Sequence, residues 1–423
     1  MAVMSATKPA TTEDPASAGQ NYTPALIAMA VLYFMMGFIT VLNDTLVPFF
    51  KMGFTLTYAQ SSLVQFYFFL TYGIMSIPAG RIVERIGFKH GMVLGFFIAA
   101  IGAILFFPAA IFHQYYLFLG ALFIIAIGIV LLQVAANPYI TVLGPARTAS
   151  SRLTLIQGIG SIGTTTAPIF GAYFILAGFE KSHASSDAVK YPYLFIAITL
   201  FIIAFVVYRL KLPVIQSAPH AGQASNQQVK KSTFSFRNLK FGAIAIFFYV
   251  GAEVAIGTFL TNYITARVGI PESEANTYVS VYWGSMLAGR FLGSWILKFA
   301  QPSKVLTLCA MLALVLIVVS VNTTGYLSVY SMLGVGLCNS IMFAIIFSLS
   351  VYGLGAYTTK ASGILSTAIV GGAVVSYLQG VLIDYYSWQI SFTLPLLCYA
   401  YILFYGLNGY KPNINQFQKK TLL

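Results

Sequence analysis

Gly80-Arg81-Ile82-Val83-Glu84-Arg85-Ile86-Gly87-Phe88-Lys89-His90 is a charged island between two long apolar runs, and its reading decides the architecture. Roughly 20 helical residues are needed to cross a hydrocarbon core of about 30 Å, and the apolar runs on both sides of the island reach that length. Lys and Arg collect in the loops that stay on the cytoplasmic side of a membrane. The island therefore reads as a short cytoplasmic connection between two membrane helices. Gly80 lets neighbouring helices approach closely, and Glu84 is placed to pair with a cation or a helix N-terminus on that face.

The rest of the chain repeats this pattern. Of its 423 residues 58% are hydrophobic and only 8% charged, and the mean hydropathy is +0.83. A soluble globular chain carries about 25% charged residues. A chain this apolar has too little polar surface to cover itself in water, so a soluble enzyme, a disordered tail and a disulfide-rich secreted module are excluded. The apolar runs are long and do not alternate, which excludes a transmembrane barrel. Cys309, Cys338 and Cys398 all sit in apolar runs and read as small buried hydrophobes, not as a disulfide framework.

Twelve spans follow, with approximate limits 24–50, 57–80, 91–112, 115–143, 152–178 and 191–210, then 240–266, 274–297, 304–321, 326–354, 361–383 and 388–408. The fold class is an all-α integral membrane protein with twelve transmembrane helices in two parallel six-helix halves. The expected organisation is an N-terminal tail over 1–23, a six-helix half over 24–212, a linker over 213–239, a second half over 240–408 and a tail over 409–423. Residues 1–23 lack the apolar core of a cleaved signal peptide, so the first span is expected to act as an internal insertion signal. The linker, rich in Ser, Gln and Lys, is too short and polar to bury a core of its own. With the N-terminus inside, 19 of the 23 Lys and Arg fall on the cytoplasmic side, against Lys51, Lys181, Lys190 and Arg267 on the other. Both termini are expected to be cytoplasmic. The net charge of +13 is thereby a topology signal, and no nucleic-acid partner is needed to explain it.

An internal repeat relates the two halves. Ala79-Gly80-Arg81 recurs as Ala288-Gly289-Arg290 at an offset of 209 residues, and the same shift carries Asp44 onto Glu253, Gly144 onto Gly353, Gly163 onto Gly372 and Gly171 onto Gly380. Parallel six-helix halves place a substrate site near the midplane between them.

The island, with Gly80, Glu84, Arg85, Gly87 and Lys89, resembles the loop motif of the major facilitator superfamily, with Glu84 where that motif usually has Asp. Further stretches resemble the fucose–galactose–glucose permease family, and its bacterial glucose/galactose branch in particular. They are Gly37-Phe38-Ile39-Thr40-Val41-Leu42-Asn43-Asp44, Gln133-Val134-Ala135-Ala136-Asn137-Pro138, residues 247–257 around Glu253, Tyr282-Trp283-Gly284, Asn339-Ser340-Ile341-Met342-Phe343 and Lys360-Ala361-Ser362-Gly363. The resemblance covers about residues 24 to 411. It implies the major facilitator fold and cation-coupled import of a glucose- or galactose-type hexose. It also implies that Asp44 corresponds to the coupling-linked acid, that Gln157 matches a sugar-contact position, and that Gln133 stands where fucose permeases carry a glutamate.

Among ten acidic residues only Asp44 and Glu253 lie well inside apolar sequence. An ionisable group at bilayer depth costs at least about 2.5–3.5 kcal/mol, so such groups usually face a polar cavity. Asp44 reads either as a packing acid bonded to a neighbouring hydroxyl or as the cation or proton site. Glu253 reads either as a packing group or as a sugar-binding or coupling acid. Gln133 cannot titrate, which leaves Asp44 as the main coupling candidate and favours sodium over the proton. The amides Asn43, Gln133, Asn137, Gln157, Asn339 and Gln379 form the candidate sugar set together with Glu253. Asn137 precedes Pro138, whose missing N–H frees a carbonyl that either meets the cavity or bends the helix. Trp283 reads as a stacking platform for a sugar ring, with an interfacial anchor as the competing reading.

Four histidines in loops or at helix ends make no metal cluster, and no phosphate-cradling loop is present, so an enzyme, an ATP-driven pump and a bound cofactor are not expected. The expected partners are a hexose, sodium or a proton, and the bilayer, with the chain acting as a monomer in a bacterial inner membrane. Alternatives are a proton-coupled fucose or N-acetylglucosamine symporter, a drug antiporter, and a sugar sensor that moves nothing.

Overall fold

The computed structural model describes residues 22–54, 63–176, 186–213, 233–270 and 272–412, and every regular element among them is helical. In hydrocarbon each backbone N–H and C=O has to be satisfied within its own segment, and a long apolar run meets that demand as a helix. Nine stretches among the described residues are long and apolar enough to cross a bilayer. One of them, Tyr67–Ile111, is 45 residues long and turns at Gly87, so it crosses twice. Two further crossings, Ala149–Phe170 and Glu272–Ile296, are richer in Ser, Thr, Gly and charge. Twelve spans result, as the sequence pattern predicts.

The charged island departs from its expected form as a loop. Helix runs from Leu63 to Ile104, and only Gly87 leaves helical geometry, at φ 82° and ψ 163°. Arg, Glu and Lys are good helix formers and the island holds no proline, so one glycine carries the whole reversal between the second and third spans.

The repeat is visible in the backbone. The fourth span, Tyr115–Val142, and the last helix of the tenth, Met342–Val351, end 209 residues apart. Gly144 and Gly353, two residues beyond those ends, take φ of 102° and 75°. The first span packs on the fifth as the seventh packs on the eleventh. Both contacts are made backbone to backbone. A Cβ on Gly163 would lie 2.1 Å from the Phe34 carbonyl oxygen, and one on Gly371 would lie 2.1 Å from that of Phe247.

The halves meet on the side where the 80–90 island lies. Lys360 Nζ, on the first turn of Thr358–Thr367, sits 3.1 Å from Glu84 Oε1. That is the cation partner expected for Glu84. Pro138 cannot bond the Val134 carbonyl one turn earlier. Ser362 Oγ of the other half donates to that oxygen at 3.0 Å, so the freed carbonyl joins the halves. Ser151 Oγ donates to the Ser294 carbonyl at 2.6 Å, and the Ser150 and Ser348 hydroxyls share a hydrogen bond.

Over-packing a tight contact costs about 1–3 kcal/mol. Gly163→Val should therefore lower the melting temperature of the purified protein by several degrees or more. Gly284→Ala, where an added Cβ meets nothing within 4 Å, should leave it unchanged or slightly raised. Equal melting temperatures in detergent for the two variants would contradict the close first–fifth contact.

Candidate functional site

A cavity of about 250 Å³ lies between the halves, lined by the first, second, fourth and fifth spans on one side and the seventh, eighth, tenth and eleventh on the other. Gln133, Gln157 and Glu253, all expected at the site, line it together. The Gln133 Oε1 atom is buried with no hydrogen-bond partner among the described residues. Buried polar atoms are almost always paired, so an orphaned amide oxygen at a cavity wall marks a place for a ligand or water. Glu253 Oε1 accepts from the Tyr249 hydroxyl at 2.8 Å. Phe68, Tyr72 and Phe343 add aromatic surface to the wall. Amides, a carboxylate and aromatic faces in a small space are the ingredients of a polar, neutral, ring-shaped ligand site.

Among the lining residues absent from the sequence-based set are Tyr33, Ser161, Tyr249 and Arg290. Arg290 is the main correction. Counted among the cytoplasmic charges, it instead lies six residues inside the end of Glu272–Ile296 and faces the cavity, which leaves 18 Lys and Arg on the cytoplasmic side of that tally. Its Nη1 donates to Ser161 Oγ across the seam between halves, and its Nε donates to the Ser340 carbonyl at 3.3 Å. An arginine in the interior of a candidate span was the available signal.

Asn339, Asn137, Gln379 and Trp283, also expected at the site, are not among the described residues that line this cavity. Asn339 is a structural hub. Its Oδ1 accepts from Tyr399 at 2.6 Å, its Nδ2 donates to the Tyr282 hydroxyl at 3.0 Å, and its carbonyl accepts from Tyr249 at 3.0 Å. Asn137 accepts from the Tyr33 hydroxyl and is buried behind the cavity wall, with Nδ2 unpartnered among the described residues. Gln379 is fully buried and both its side-chain polar atoms lack partners among the described residues. Trp283 is 45% exposed, lies against Gly257 and does not line the cavity. Asn43 and Asp44 fall on the described helix Thr23–Gly53, but their side chains lie outside the described residues.

A larger cavity, about 930 Å³, lies among the loop ends beyond the Ser150–Ser348 contact and is lined by Arg147, Lys298 and Tyr352 among others. The smaller cavity holds the better case for a specific ligand, because it gathers Gln133, Glu253 and Arg290 with hydrogen-bonding capacity unspent. Among the described residues no three His, Cys, Asp or Glu side chains come together to hold a metal ion.

The model of the Major Facilitator Superfamily matches residues 29–376 of the chain. A glucose/galactose transporter of Brucella abortus is 47% identical over 399 residues, covering 93% of this chain and 96% of that protein. An L-fucose-proton symporter of Escherichia coli is 32% identical over 92% of this chain and 94% of that protein. The crystal structure of the Major Facilitator Superfamily transporter FucP in the outward conformation superposes with a TM-score of 0.84 at 31% identity, covering 92% of this chain and 99% of that one.

The partnered and orphaned amides should respond oppositely to substitution. Asn339→Ala strands buried hydroxyls of Tyr399 and Tyr282 and should destabilise the fold by about 2–4 kcal/mol. Gln133→Met removes an amide whose Oε1 has no partner among the described residues and should change stability by less than about 0.5 kcal/mol. Thermal unfolding of both variants checks this, and comparable losses would contradict the placement of Gln133 at a ligand-facing wall.

Proposed function

The chain belongs to the Major Facilitator Superfamily, and from that premise we propose that it is a secondary active transporter of a glucose- or galactose-type hexose, driven by cation symport. The observation that carries this reading is the cavity between the halves, in which Gln133, Gln157, Glu253 and aromatic side chains converge with hydrogen-bonding capacity left over. Hexose hydroxyls both donate and accept, and the C–H faces of the ring suit Phe and Tyr. The named relatives, a glucose/galactose transporter and a fucose symporter, support a sugar as cargo.

With the 80–90 island inside the cell, the contacts Glu84–Lys360, Val134–Ser362 and Ser151–Ser294 close the inner end of the pathway. The described conformation is then outward-facing, in a bacterial inner membrane with both termini inside. Sugar and cation enter from outside, and the halves rock as units about the cavity until these contacts part. A neutral hexose feels no membrane potential, so the driving force acts on the cation. One charge moving through 100 mV supplies about 2.3 kcal/mol, enough for roughly fiftyfold accumulation.

Asp44 is the coupling acid in this reading, with Glu253 a sugar-binding or second coupling group. Sodium is favoured over the proton because Gln133 has no proton to exchange, while an ionised carboxylate beside amide oxygens suits a hard cation. A second reading, proton-coupled symport of fucose or N-acetylglucosamine, draws on the identity with the L-fucose-proton symporter. The protein works here as a monomer and needs no cofactor.

Sugar uptake into proteoliposomes under imposed sodium or proton gradients tests the scheme. D-glucose or D-galactose should accumulate under an inward sodium gradient. Accumulation under a proton gradient alone would favour the second reading, and indifference to both gradients would demote symport to facilitated diffusion. Asp44→Asn should abolish concentrative uptake while exchange survives, and unchanged accumulation would remove Asp44 from the mechanism. Gln133→Glu should shift ion preference or pH dependence.

A further inference from the structure

Glu253 and Arg290 are the one acid and the one cation among the described residues lining the cavity. Each is held from behind. Glu253 Oε1 takes the Tyr249 hydroxyl, while Arg290 gives Nε to the Ser340 carbonyl and one Nη1 hydrogen to Ser161. Although they share one small cavity, no Arg290 nitrogen comes within 4.0 Å of a Glu253 oxygen. A guanidinium has five N–H donors. Three of them, and Glu253 Oε2, have no partner among the described residues.

Opposite charges in a poorly polarisable space attract strongly, and a charge left uncommitted there is costly. A structural ion pair would have closed. The tethers instead keep donor and acceptor apart, which is a preorganised gap for a ligand. A carboxylate ligand would satisfy Arg290 and be repelled by Glu253, and an ammonium ligand would do the reverse. A pair of adjacent hydroxyls fits both, one donating its O–H to the carboxylate and its neighbour offering a lone pair to the guanidinium. We propose that Glu253 and Arg290 read a vicinal diol on the transported sugar, with Arg290 a substrate-binding residue that determines specificity. The proposal rests on the sugar reading given above and adds to it the chemical group recognised.

Equilibrium binding of D-glucose and its 2-, 3-, 4- and 6-deoxy analogues to the full chain in detergent provides the test, with Glu253→Gln and Arg290→Gln alongside the unaltered protein. A hydrogen bond to a charged group is worth roughly ten- to a hundredfold in affinity. Two analogues missing hydroxyls at adjacent ring positions should each lose about that much. In Glu253→Gln the penalty at one of those positions should shrink to within about threefold, and in Arg290→Gln the penalty at the other. Arg290→Lys keeps the charge without the planar fork. Should Arg290→Gln fail to fold, Arg290→Lys has to lower the same penalty. Penalties unchanged in the variants, or falling at non-adjacent positions, would overturn the diol assignment while leaving sugar transport intact. No binding of D-glucose or D-galactose by the unaltered protein would overturn both.

Discussion

Two opposite charges held apart across a small cavity inside the membrane are the constraint around which the rest of the structure is arranged. The break in the tenth span sets both of them. Helix ends at Asn339 and restarts at Met342. The Asn339 carbonyl accepts from Tyr249, which holds Glu253, and the adjacent Ser340 carbonyl accepts from Arg290. Irregular backbone at bilayer depth is tolerated only where it is buried in protein or lines a cavity. Here it is buried, and the carbonyls it releases anchor side chains that line the cavity. Asn339, tied through its side chain to Tyr399 and Tyr282, fixes the break in place.

The same economy of backbone carbonyls joins the two halves on the side of the 80–90 island. Pro138 withdraws an N–H from the fourth span, and the carbonyl it frees becomes an acceptor for Ser362 of the opposite half. Within each half the contacts are of another kind. Gly163 against Phe34 and Gly371 against Phe247 press backbone on backbone with no room for a side chain. Single hydrogen bonds and one surface ion pair across the seam are weak and individually exchangeable, whereas glycine contacts inside each half are rigid. That contrast suits halves that move as bodies and part along the seam.

Much of this is legible in the sequence because membrane helices obey a strong length and polarity rule. The twelve spans, the repeat and the pairing of Glu84 with a cation follow from apolar run lengths, from the 209-residue offset and from one acid among basic neighbours. Gln133, Gln157 and Glu253 are found by looking for polar groups in apolar sequence, and they do meet. The same rule misplaces Asn339 and Asn137, since a buried amide reads alike whether it faces a ligand or fastens two tyrosines. It also misses Arg290, because positive charge near a helix end is ordinarily a topology signal. Only the tertiary contacts with Ser161 and Ser340 distinguish a lining arginine from a loop arginine. The island over 80–90 was expected as a loop for the opposite reason: its charges suggest exposure, yet its residues are good helix formers up to Gly87.

The most direct test of a sugar site between the halves is a density map of the full chain at saturating D-glucose or D-galactose. Density for the pyranose should lie within reach of Gln133, Gln157, Glu253 and Arg290. Sugar density confined to the larger cavity near Arg147 and Lys298, or a central cavity without sugar at saturating concentration, would contradict it.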